Sequence, residues 1–184
     1  LPLRLLISIP LCLLTCAMAV EYTPAGTVSP PQENQSDWPI VSDKDSGLEL
    51  EFPGEFVPLP ATEGVAFGGQ SPDGTAGMAV ISSPQAVVQS PEDLMANAMA
   101  VLSLTQLSPR DREELSTEDS ETFQVESGFR QEFTAQREGK PVNGIMQYIV
   151  YRRRSALIIA WCESGQWDKM RPILLFSLDT TYIW

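Results

Sequence analysis

The sequence predicts an α+β domain: an antiparallel β-sheet with helices packed mainly on one face, preceded by a signal peptide and a flexible tail. Three stretches carry that expectation. In the first, residues 128–136, Phe129, Phe133 and Ala135 alternate with Arg130, Glu132, Thr134 and Gln136, the period of two that marks a half-buried strand. Runs 142–151 and 156–162 are rich in β-branched and aromatic residues and are set off by Glu138-Gly139-Lys140-Pro141 and Arg152-Arg153-Arg154-Ser155, so that 123–161 reads as three consecutive strands. The second stretch is Pro72-Asp73-Gly74: Pro presets φ and Gly accepts a positive φ, which joins strands over 65–69 and 76–82 into a hairpin. The third is Ser90-Pro91-Glu92-Asp93, a hydroxyl cap, a proline at the first helical position and an acid three residues after the cap. It predicts a helix over 91–104 with Leu94, Met95, Ala98, Val101 and Leu102 on one apolar stripe.

The remaining segments follow in order. Residues 1–19 combine Arg4, an apolar stretch and Ala17-Met18-Ala19, the pattern of a signal peptide cleaved after Ala19. The stretch is shorter than the roughly 20 residues that cross a bilayer. A competing pattern, Leu13-Leu14-Thr15 before Cys16, would make Cys16 a lipidated residue; the large Leu14 and the Thr15 fit that pattern poorly. Residues 20–45 shift to Pro, Ser, Thr and acids, the composition of a linker, with Trp38-Pro39-Ile40-Val41 as the one patch able to dock. The domain is expected over 46–184. It opens with Leu48, Leu50 and Phe52 alternating with Glu49 and Glu51, ends that strand at Pro53-Gly54, and continues over 56–59. Residues 108–122 are dominated by acids and are expected to form a solvated connector; their spacing matches no EF-hand loop. Trp167, Met170, Ile173, Leu174 and Phe176 suggest a last helix, in which Pro172 either makes a kink or occupies the first turn of a shorter helix.

Composition narrows the chemistry. Among 184 residues, twelve Lys and Arg stand against twenty-four Asp and Glu, a formal charge of -12. That balance opposes nucleic acids and anionic lipid surfaces, which are held by clustered Lys and Arg. There is no histidine, hence none of the commonest general base and transition-metal ligand. Cleavage after Ala19 would remove Cys12 and Cys16 and leave Cys162 alone, expected to be buried and inert.

Gly47-Leu48-Glu49-Leu50-Glu51-Phe52-Pro53, Ser90-Pro91-Glu92-Asp93-Leu94 and Ile173-Leu174-Leu175-Phe176-Ser177-Leu178, in this order of elements, resemble the PsbP-like fold family, nearest to DcrB-type bacterial envelope proteins. The resemblance spans roughly residues 45 to 180 and implies a non-catalytic accessory or envelope protein, without transferring any functional residue. The expected function is that of an exported, non-enzymatic accessory or binding protein, periplasmic or secreted, touching a membrane only if lipidated at Cys16. The alternatives are a small carboxylate-based or metal-dependent hydrolase, or a protein resembling a secretion chaperone. No catalytic, metal or cofactor residue is assigned and no cofactor is expected. An unidentified protein partner or self-association is expected instead. A sheet covered on one side leaves its other face to solvent, carrying one of the two alternating sets of 142–151; the candidate contact residues are therefore Tyr148 or Tyr151, whichever set faces out, with Arg152, Arg153 and Arg154 at the adjoining turn.

Overall fold

The computed structural model describes residues 38–59, 62–115 and 125–184. The expected signal segment, Cys16, the tail to residue 37 and residues 116–124 of the acidic run lie outside them. The strands are β1 (Ile40–Asp43), β2 (Leu48–Glu51), β3 (Val57–Pro58), β4 (Phe67–Gln70), β5 (Ala76–Ser82), β6 (Leu104–Glu114), β7 (Ser127–Arg137), β8 (Lys140–Tyr151), β9 (Arg154–Glu163) and β10 (Tyr182–Ile183). The helices are α1 (Pro91–Val101) and α2 (Trp167–Asp179), the second entered through a 3-10 turn at Ser164–Gln166. A large sheet runs β3-β4-β5-β9-β8-β7-β6 and a small one β1-β2-β10, and the pairs are antiparallel. The fold is α+β, as the sequence predicts.

The turns that set the register are tighter than the polar stretches containing them. Arg137 pairs with Lys140, leaving Glu138 and Gly139 at φ +53° and +80°, the two positive values of a turn whose twist matches its strands. Tyr151 likewise pairs with Arg154, so Arg152 and Arg153 occupy φ +45° and +63°, where Asn-Gly would be relaxed. Contacts pin this strained turn: the Arg152 guanidinium donates to the Trp184 carbonyl at 2.7 Å and the Arg153 N–H to the Glu126 carboxylate at 3.4 Å.

The helices do not share a face. On β9, Leu157, Ile159 and Trp161 join the core under α1 with Leu94, Ala98 and Phe133. Ala156, Ile158 and Ala160 join a second core with Leu174 and Leu178 of α2 and Leu48, Leu50 and Ile183 of the small sheet. The expectation of helices mainly on one face is corrected accordingly. The uninterrupted apolar run over 156–162 is that of a strand covered on both sides, where alternation disappears because neither side meets water.

Four further elements bear on the sequence reading. Ile40–Asp43, inside the expected linker, pairs with Leu48–Glu51, and Trp38 meets the Phe176 ring edge-on at 5.2 Å; the patch docks as a strand. Part of the acidic run is the edge strand β6, exposed along most of its length. Register breaks between Thr105 and Ser108 and between Pro109 and Arg112 interrupt its pairing with β7, with Gln106 at φ +53° in the first. Bulges, charge and a proline are what keep such an edge from pairing with another chain. Finally, α1 is capped as predicted, Asp93 N–H donating to Ser90 Oγ at 3.1 Å, but it stops at Val101 because Ser103 turns to φ +56°. The last helix runs through Pro172, held by the burial of Leu174 and Leu178.

Candidate functional site

Of the predicted contact residues, Tyr148 and Tyr151 are buried, Arg154 is half-buried, and Arg152 and Arg153 are exposed at the β8–β9 turn. Tyr151 is 1% exposed and its hydroxyl donates to the Ser46 carbonyl at 2.9 Å; burial pushes its pKa up to about 12. Tyr148 is 8% exposed, stacks on Phe129, and donates to the Gln89 carbonyl at 2.9 Å. Arg154 ties the carbonyls of Asp45 and Ser46, and Arg152 ties that of Trp184. Tyr151 is closed in because α2 and the small sheet cover the face on which it was expected to be open, whereas Tyr148 lies in the core under α1. On the α2 face Arg130 bonds Gln147 at 2.6 Å and Asp179 at 2.7 Å, and Arg171 bonds Glu132 at 2.7 Å, pinning α2 across β7 and β8.

A cleft does form on the α1 face, at the end of the sheet beyond that helix. Its floor arises from one cross-strand row: Phe133 on β7, Gly144 on β8, Trp161 on β9 and Gly77 on β5. Each ring leans over a glycine. A Cβ on Gly77 would stand 2.7 Å from Trp161 Cη2, and one on Gly144 2.5 Å from Phe133 Cε1; both positions therefore require glycine. On the same face, two residues further along β5 and β9 come Thr75 and Glu163, and four further along β7 and β8 come Arg137 and Lys140. With Gln70, Asp73, Gly74, Glu138 and Val142 they line a cleft of about 230 Å³.

Most charges of the cleft are already matched. One oxygen of Asp73 accepts from Ser71 Oγ at 2.7 Å, Thr75 N at 3.0 Å and Thr75 Oγ1 at 2.8 Å. The Ser71 hydroxyl, then Thr75, hold its carboxyl down at about 2. Lys140 Nζ donates to Glu163 at 2.6 Å, and that bond and charge raise the lysine above its ordinary range. Arg137 differs. Its guanidinium lies 5.3 Å over the Trp161 ring and reaches only backbone carbonyls, Leu102 at 3.3 Å and Gly74 at 3.4 Å. Among the described residues no carboxylate pairs with it. Trp161 is 1% exposed and its buried indole Nε1 has no acceptor among the described residues.

Sequence reasoning missed Arg137 and Trp161 as a pair. The signal was a charge on the wrong side of an alternating strand, since Arg137 continues the apolar series Phe129, Phe133, Ala135. Cys162 is buried, as expected, and burial pushes its thiol up to about 11, which keeps it protonated and unreactive at neutral pH.

The fold is PsbP-like. The chain is similar to the solution structure of cyanobacterial PsbP (CyanoP) from Synechocystis sp. PCC 6803, with a TM-score of 0.58 and 12% identity over 79% of this chain and 92% of that one. It is also similar to LpqN, described as involved in cell envelope biogenesis of Mycobacterium tuberculosis, with a TM-score of 0.52 and 13% identity over 79% and 89% of the two chains. No protein-family model and no curated protein matches the chain in sequence.

Proposed function

We propose that this is an exported, non-enzymatic accessory or binding protein of a bacterial envelope that acts by capturing a ligand in the cleft. The protonation states there carry the reading. A general acid or base works best with a pKa near the operating pH, whereas Asp73 is held at about 2 and Lys140 above the ordinary lysine range. Both stay charged through the neutral range, which suits recognition. The likeness to CyanoP and LpqN supports an accessory role at the level of fold, and LpqN's link to the envelope agrees with the export pattern of residues 1–19. Capture by the immobilised full chain from envelope extract, followed by mass spectrometry of bound and unbound fractions, tests the reading. Recovery of a ligand of unchanged mass is expected. Release of a cleaved product would replace the reading with the hydrolase alternative.

A further inference from the structure

Resting on that reading, we infer that the cleft receives the carboxylate of a small, singly charged organic acid, with the Arg137 guanidinium as its fork. Arg137 is half-buried, yet among the described residues only two of its five N–H donors find acceptors, in the long bonds to Leu102 and Gly74. Its Cζ lies 5.3 Å from the centre of the Trp161 ring, and the donors that Leu102 and Gly74 do not take are left for bidentate contact, the geometry in which arginine binds carboxylates. The Gln70 side chain, in the same lining, makes no hydrogen bond to any described residue and supplies another donor.

Charge sets the ligand class. Arg137 and Lys140 contribute two positive charges and Asp73, Glu138 and Glu163 three negative ones, a sum of -1. Glu163 is neutralised by Lys140 at 2.6 Å, and Asp73 is turned into its own loop. A monoanion thus meets one cation that pairs with no described carboxylate, while a dianion would bring a second charge toward Asp73 and Glu138 in a chain of net charge -12. The volume of about 230 Å³ equals the liquid-phase space of roughly eight waters, room for a compact head group.

The Trp161 indole N–H is the reporter. Trp161→Phe identifies its resonance among the four indoles in a nitrogen-15 correlation spectrum of the full chain. Titration with acetate and with N-acetylalanine is expected to move that resonance saturably, and N-acetylalaninamide, which has no carboxylate, is expected to leave it in place. Tighter binding of N-acetylalanine than of acetate identifies a peptide terminus as the source; equal binding identifies a free acid. Arg137→Gln should weaken binding at least about tenfold, which is about 1.4 kcal/mol. Arg171→Gln, the same charge change on the opposite face, should not. Should Arg137→Gln fail to fold, Arg137→Lys, which keeps the charge and loses the fork, is read by the same criterion. The inference is overturned if no carboxylate moves the resonance, if phosphate binds as tightly as acetate, or if the folded Arg137 variant binds like the parent. Retention of another envelope ligand alongside those results would remove the carboxylate and leave the binding reading standing. Turnover of a ligand would remove the reading itself.

Discussion

The two ends of the sheet face beneath α1 treat polar groups in opposite ways. At one end Ser155 N–H donates to Ser83 Oγ at 2.9 Å, Gln89 N–H to Ser155 Oγ at 2.8 Å, and Ser155 Oγ to the Gln89 carbonyl at 3.0 Å, a carbonyl Tyr148 also reaches. Donors and acceptors there are matched one to another. At the other end Arg137 and Trp161 retain donors that no described residue takes, around a cleft. Matched buried polar groups fix one conformation, and unmatched ones store free energy that a ligand can recover. One end is built to hold the domain shut and the other to receive something.

Overfilling the open end should have the largest effect. Gly144→Ala would place a methyl 2.5 Å from both the Phe133 ring and the Ala160 carbonyl, and Gly77→Ala would push into Trp161; each is expected to destabilise by about 1–3 kcal/mol, Gly144→Ala the more. Urea unfolding measures both, and a neutral result would mean that the rings are free to move aside. Next comes Ser155→Ala at the matched end. It leaves the Gln89 N–H without its acceptor and should lose about 1–3 kcal/mol. Arg137→Gln should lose less than Ser155→Ala, because Arg137 has no strong partner to forfeit. A reversed ranking would erase the contrast between the ends. Tyr148→Phe removes one hydrogen bond and keeps the ring, for about 1 kcal/mol.

The smallest effect is the pH response of the Asp73 turn. Its folded pKa of about 2 lies below the ordinary 3.8. A depressed carboxyl contributes stability above its unfolded pKa and loses it as pH falls through the folded value. The contribution should therefore be complete above about pH 4 and disappear toward pH 2. A carbon-13 carboxyl titration should show the low midpoint, and Asp73→Asn should flatten the acid limb of the stability profile in that window alone.

Legibility in the sequence followed exposure. The Pro72-Asp73-Gly74 turn, the Ser90 cap and the β7 alternation were readable because each meets water on one side or at a turn, where local chemistry decides. The interior strands hid the second layer, since β8 and β9 are apolar on both faces and their pattern does not say how many covers they have. Tyr148 and Tyr151 looked like surface aromatics for the same reason, although distant carbonyls satisfy their hydroxyls. Strand β6 was misread because an edge strand needs charges, and charges also mark connectors. The cleft required a register between strands distant in sequence, although Arg137 on an apolar face was a local clue.

Strand β2 carries a consequence for the order in which the protein folds. Its first partner, β1, lies just upstream, but its second is β10, and Glu51 N–H bonds Thr180 Oγ1 across 129 positions. Closing a loop of that length opposes folding by about 4 kcal/mol beyond a constant, a loss that only contacts with the far segment can offset. Leu48 and Leu50 share one core with Leu174, Leu178 and Ile183, so that core is completed only when the far segment docks. Completion of the core around β2 therefore waits on a contact of high sequence separation, the kind that slows folding.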